Sequence, residues 1–191
     1  MDRGSFRAAA LLATLALAAC KGPVVPSPLV GQTRYLCCNL HYERPEVTDV
    51  NYQQGALVPL GTRVQILEVR RSAVKFQPEG HPPITAVLKH GRKIITMETF
   101  MDRLLVEKDP RAKLPRATGK KGAEQAERVR KAIEAGQVEE GLTREQVLMA
   151  LGYPPAHRTP SLDASQWTYW QNRWVTFIVV FDGDRVSRIQ N

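Results

Sequence analysis

Three cysteines and four histidines carry most of the chemistry open to this chain, and their spacing narrows it sharply. Cys37 and Cys38 are adjacent. Neighbouring Cα atoms across a trans peptide lie ~3.8 Å apart, below the ~4.4 Å at which disulfides usually begin. Two small buried thiols on opposite faces of a strand are therefore the first expectation, with a vicinal or intermolecular disulfide as the alternative in an oxidising compartment. His41, His81, His90 and His157 stand singly, none at metal-ligand spacing from a second ligand, so core or surface roles are expected. Glu139-Glu140 is the nearest thing to a carboxylate pair and reads as a solvated turn. There is no nucleophile signature for Ser, Cys or Thr and no phosphate-cradling glycine loop. Binding, rather than catalysis, is the expected work of this chain, with no cofactor and no metal.

The third cysteine is different. Met1-Asp2-Arg3-Gly4-Ser5-Phe6-Arg7 carries two arginines, the twelve residues 8–19 are Ala, Leu and one Thr, and Leu17-Ala18-Ala19 precedes Cys20. The apolar run falls short of the roughly 20 residues that span a bilayer, so it reads as a secretory signal, residues 1–19. The Leu-Ala-Ala-Cys box resembles that of bacterial lipoproteins, whose cysteine is lipidated and becomes the new N-terminus. Each buried methylene contributes ~0.8 kcal/mol, so several acyl chains would anchor the protein stably. Lys21 follows Cys20, where inner-membrane lipoproteins often carry Asp, which favours the outer membrane and a periplasm-facing chain.

Removing the signal leaves 172 residues with net charge +7, enough for one ordinary domain or two small ones. Residues 20–33 contain three prolines after Lys21 and read as an extended tether, ~3.1 Å per residue. Residues 34–107 read as a small β-rich domain. Residues 108–122 hold six Lys or Arg against one Asp with little apolar content, which reads as a basic linker, either a solvated strap or one drawn to anionic lipid or cell wall. Residues 123–191 form the last domain. Nucleic acid is not an expected partner for an exported chain, despite the basic balance.

Turn residues divide the first domain into strands at 35–40, 62–69, 73–76 and 84–88, with period-two alternation at Val64/Ile66 and Val74/Phe76. A short helix over 99–106 would pair Phe100 with Leu104 and Met101 with Leu105. Residues 55–66 loosely resemble the strand leading into an SH3-like barrel. The last domain begins with a helix over 123–135, with Ala126, Val129 and Ile133 on one face. In Gly141-Leu142-Thr143-Arg144-Glu145-Gln146-Val147, Thr143 suits the N-cap, Gln146 completes a capping box and Leu142 with Val147 forms a hydrophobic staple. Gly152 then Pro154-Pro155 end this second helix. Strands are expected at 166–170, 173–181 and 185–190, joined by two-residue turns at Gln171-Asn172 and Asp182-Gly183. That register puts Trp167, Tyr169, Trp174, Thr176, Ile178, Val180 and Ile189 on one face. Thr168, Trp170, Val175, Phe177, Val179, Phe181 and Val186 take the other.

Gly141-Leu-Thr-Arg-Glu-Gln-Val147, Leu151-Gly152-Tyr-Pro154, Trp167-Thr-Tyr169 and Val180-Phe181-Asp182-Gly183-Asp184-Arg-Val186 resemble the SmpA/OmlA family, also called BamE-like. The resemblance covers residues 123–191 and implies an α+β architecture: an ααβββ domain preceded here by the small SH3-like all-β domain. It further implies a non-catalytic lipoprotein of outer-membrane protein assembly or envelope integrity. Two other readings stay open, a periplasmic enzyme inhibitor and a peptidoglycan-binding lipoprotein. The expected partner site is the aromatic sheet face, Trp167, Tyr169, Trp174 and Ile178, since large aromatics dominate interface hot spots. The alternative is that the first domain covers this face.

Overall fold

The computed structural model describes residues 22–116 and 119–191. The expected signal, residues 1–19, and the expected lipidation position Cys20 lie outside the described residues. The chain is mixed α+β, with two hydrophobic cores. No helix among the described residues is long and apolar enough to cross a membrane.

The first core lies inside a curled six-stranded sheet. Its strands are β1 (Thr33–Leu36), β3 (Glu46–Thr48), β5 (Arg63–Arg70), β6 (Ala73–Pro78), β7 (Ile84–Val87) and β8 (Leu105–Val106), in the order β3-β7-β6-β5-β1-β8. A separate pair, β2 (Leu40–Tyr42) with β4 (Ala56–Val58), completes the β structure of this body. The alternation seen in the sequence is realised: Val64, Ile66, Val74 and Phe76 are all buried in one cluster. Helix α1 (Met97–Leu104) begins two residues earlier than expected, because Thr96 caps it by accepting from the Thr99 N–H. Leu104 is buried, and Phe100 and Met101 pack against the same core, so this body is not purely β.

Two expectations about connections are corrected. Residues 22–33 do not stand free as a tether. Val24 bridges to Arg70, Val25 N–H donates to Val69 O (2.9 Å) and Gly31 N–H to Ile66 O (2.8 Å), so the segment runs along β5. Its prolines sit at positions that need no donor, leaving the intervening N–H groups free to pair. The basic stretch is also ordered over much of its length. Pro110–Lys113 is a 3₁₀ turn capped by Asp109, Lys113 reaches Glu145 (2.7 Å), and Leu114 packs on the second core. An Asp cap followed by Pro is a helix-start pair, and the charge balance masked it.

Helices α2 (Gly119–Glu134) and α3 (Arg144–Leu151) cover one face of a three-stranded antiparallel sheet, β9 (Gln166–Trp170), β10 (Thr176–Asp182) and β11 (Arg185–Gln190), ordered β11-β10-β9. The Thr143–Gln146 capping box forms in both directions. Gly152, at φ 81°, ends α3 with its N–H on Leu148 O.

Candidate functional site

The register of β9 on β10 decides which aromatics can meet a partner. Trp170 pairs with Thr176, Tyr169 with Phe177 and Trp167 with Val179, so residues 171–175 form a wide loop and not a two-residue turn. Shifting the partner of Trp170 by three positions, an odd number, flips β9 relative to β10. This corrects the expected face assignment. The buried face consists of Trp167, Tyr169, Phe177, Val179, Phe181 and Val186, with Ile189 packed against it after a bulge between Val180 and Phe181. Trp167 and Tyr169, offered from sequence as partner-binding, are 0% exposed and belong to the core under α2 and α3. Tyr169 OH donates to Gly152 O (3.0 Å), tying the sheet to the end of α3. Ile178 is half-buried on the outer face of the sheet, opposite Thr168.

Trp174 alone of the four is fully presented. It is 82% exposed beside Val175 at 50%, at the tip of the β9–β10 loop. The loop is built to hold it. Asn172 Oδ1 accepts from both Trp174 N–H (2.9 Å) and Val175 N–H (3.0 Å), which is the local side-chain-to-backbone bonding that makes Asn a turn residue. The Arg173 guanidinium lies 5.0 Å from the Trp174 ring centroid. The base of the loop is fastened to the first body: Gln53 N–H donates to Trp170 O (3.0 Å) and Gln171 Nε2 to Gln53 O (2.9 Å).

That fastening is part of a larger junction which the sequence reading missed. The last carbonyls of a helix have no partner within it. Here amides from the first body supply partners to both helices of the second. Asn39 Nδ2 donates to Ile133 O of α2 (2.6 Å) and to Ala150 O of α3 (3.1 Å). Asn51 Nδ2 and Gln53 Nε2 both reach Leu151 O (2.9 and 3.1 Å). Asn39 Oδ1 meanwhile accepts from Leu60 N–H (2.9 Å). Nothing in sequence separates such an amide from an ordinary turn Asn, so no local signal would have found them.

Cys37 and Cys38 are joined as a disulfide between neighbours, which settles the first expectation of two thiols in favour of its alternative. Together with Phe100, Arg103, Leu104 and Tyr153 they line a cavity of about 50 Å³ at the junction. That holds a water or two, against the roughly 300 Å³ or more of a small-molecule site. Among the described residues no group of three or more His, Cys, Asp or Glu is placed to hold a metal ion.

His41 and His157 border the junction, and burial is the main influence pulling both imidazoles below their ordinary range; the neighbouring His90 adds to it at His157. The consequence for stability has a definite sign. Unfolded His titrates near pH 6.5, so below that the unfolded chain takes up protons that the folded one refuses, and stability falls as pH falls. The urea midpoint should therefore drop between about pH 7.5 and about pH 5.5, and less so in His41→Gln. A midpoint that rises on acidification would contradict this reading.

No family model, curated protein or solved structure matches this chain.

Proposed function

We propose that the chain is a non-catalytic outer-membrane lipoprotein, anchored through Cys20 and facing the periplasm, that acts as a binding or scaffold module in envelope integrity or outer-membrane protein assembly. The observation that carries the binding reading is Trp174. A tryptophan 82% exposed on a loop whose backbone is pinned by Asn172 and Gln53 gains nothing for the fold from its size. It offers a partner a large rigid apolar anchor at small entropic cost. The anchoring reading rests on the Leu17-Ala18-Ala19-Cys20 box.

The BamE-like reading of residues 123–191 is supported by the chain order α2, α3, β9, β10, β11 and by the antiparallel meander of the three strands. For the SH3-like reading of the first domain, the support is a small curled sheet of short strands. The preferred partner is another envelope protein, with the assembly machinery as the leading case. Peptidoglycan is the alternative partner, and inhibition of a periplasmic enzyme the alternative role.

The test is in-cell photocrosslinking from position 175, beside Trp174, in the lipidated protein, followed by identification of what is captured. Trp174→Ala should leave the melting temperature unchanged and weaken partner capture by about 30-fold, the equivalent of ~2 kcal/mol. Cys20→Ser should release the protein from the membrane fraction. Capture that survives Trp174→Ala would remove the tip from the reading, and membrane attachment that survives Cys20→Ser would remove the anchor.

A further inference from the structure

A second surface, used by none of the above, lies where β7 runs out. Residues 89–94 read Lys-His-Gly-Arg-Lys-Ile, and Lys89, His90, Arg92, Lys93 and Ile94 are all exposed. Arg158, from the second body, joins them: the His90 ring packs tilted against His157 (centroids 5.3 Å apart), His157 against Trp170 (5.4 Å), and the Arg158 guanidinium lies 5.9 Å from the Trp170 ring. None of Lys89, Arg92, Lys93 and Arg158 is in an ion pair among the described residues. In the other basic stretch Arg111 and Lys113 are paired with Asp109 and Glu145, while Lys108 and Arg116 are in no ion pair among the described residues.

The cations are held in place. Asp49 is buried below them, and its carboxylate accepts from the N–H groups of Lys89 (2.9 Å), His90 (3.0 Å) and Gly91 (2.6 Å). A Cβ on Gly91 would come to 3.0 Å from that carboxylate, so the tight wrap favours glycine. Gly91 O then accepts from Ile94 and Ile95 N–H, closing a turn that displays Arg92, Lys93 and Ile94 together. The Asp49 carboxylate is thus spent on backbone N–H groups and not on these cations. Glu98 and Asp102 lie in a neighbouring groove with Arg70 and Arg71.

Position selects the partner. Val24 bridges Arg70, Arg70 pairs with Ala73, and Ala73 pairs with Val87, one row across the sheet. Three strand spacings of about 4.8 Å make ~15 Å, so the described chain starts and β7 ends at the same end of the sheet. Residue 20 is two positions before Gly22 in the sequence. We propose that residues 89–94 with Arg158 form a contact surface for an anionic phospholipid bilayer, Lys89, Arg92, Lys93 and Arg158 meeting headgroup phosphates and Ile94, 47% exposed, meeting the headgroup–acyl boundary. The choice of a bilayer over other anions rests on the anchored reading above. Contact itself needs no acyl chain, and the body would be held flat on the membrane with the Trp174 loop oriented by it.

The test uses the full mature chain with Cys20→Ser, so that no lipid anchor contributes, in sedimentation with phosphatidylcholine vesicles with and without phosphatidylserine. Binding should require phosphatidylserine and weaken as salt shortens the screening length. The triple variant Lys89→Gln, Arg92→Gln, Lys93→Gln changes only exposed side chains and should fold normally by circular dichroism. Each basic residue near an anionic surface contributes about fivefold, so the triple should lose on the order of 100-fold in partitioning. Lys108→Gln with Arg116→Gln should bind as the parent does. Equal binding to both vesicles, an unaffected triple, or soluble glycerol phosphate competing as tightly as vesicles bind would overturn the proposal. Because the acyl group is absent throughout, a failure here leaves lipidation at Cys20 to stand or fall by its own membrane-release experiment.

Discussion

Trp167→Ala should destabilise the protein by about 3–5 kcal/mol, the range for removing a large buried aromatic, whereas Trp174→Ala, seven residues on, should leave stability unchanged. Trp167 is wholly buried, its ring 4.6 Å from that of Phe181 in an edge arrangement, with the Arg144 guanidinium 5.3 Å away. Arg144 in turn donates to Leu162 O, Ala164 O and Gly183 O, so it ties the loop after α3 to the last hairpin. Truncation would open a cavity and take away one of the ring faces over which this arginine sits. Trp167→Phe should cost far less, under about 2 kcal/mol, because the indole N–H has no hydrogen-bond partner among the described residues and its loss strands nothing. Urea denaturation of the three variants checks the ordering. A stable Trp167→Ala protein would mean that β9 does not have the register on β10 described above.

Asn39→Leu should be the second severe change, about 3 kcal/mol or more, since stranding each buried backbone partner costs roughly 1–3 kcal/mol. Leucine is similar in size but leaves Leu60 N–H, Ile133 O and Ala150 O without this partner in a fully buried place. Gln54→Ala, on the exposed side of the same region, should be neutral. The site also predicts how the protein fails. Asn39 closes the ends of both helices of the second body, so losing it should loosen residues 123–191 before the curled sheet. Hydrogen exchange should show α2 and α3 losing protection first. Uniform loss across both bodies would argue that the two cores are one cooperative unit for which the junction is incidental.

Local signals in the sequence carried as far as their range allowed. The Thr143 capping box, the Gly152 stop, the core faces of α2 and β5 and the mixed α+β class are set by side chains within a turn or two of each other, and the structure has them. The proposed function and the proposed anchor at Cys20 each remain open to their own experiment.

What failed, failed at longer range. Strand periodicity tells which residues alternate but not which strand face meets which, and one loop conformation, set by Asn172 accepting two N–H groups, moved Trp167 and Tyr169 from an expected surface into the core. Composition marked residues 20–33 and 108–122 as spacers, yet a few backbone pairs and one Asp-Pro cap fix residues 22–33 and 109–114 to the body. Asn39, Asn51 and Gln53 became helix caps only because folding brought them to carbonyls about 100 residues away. Lys89, Arg92 and Lys93 were unremarkable in a chain with 27 basic residues. Their lack of ion partners among the described residues, and their place at the end of the sheet near Val24, are properties of tertiary arrangement alone, because charge pairing and proximity between distant segments are decided by packing and not by order along the chain.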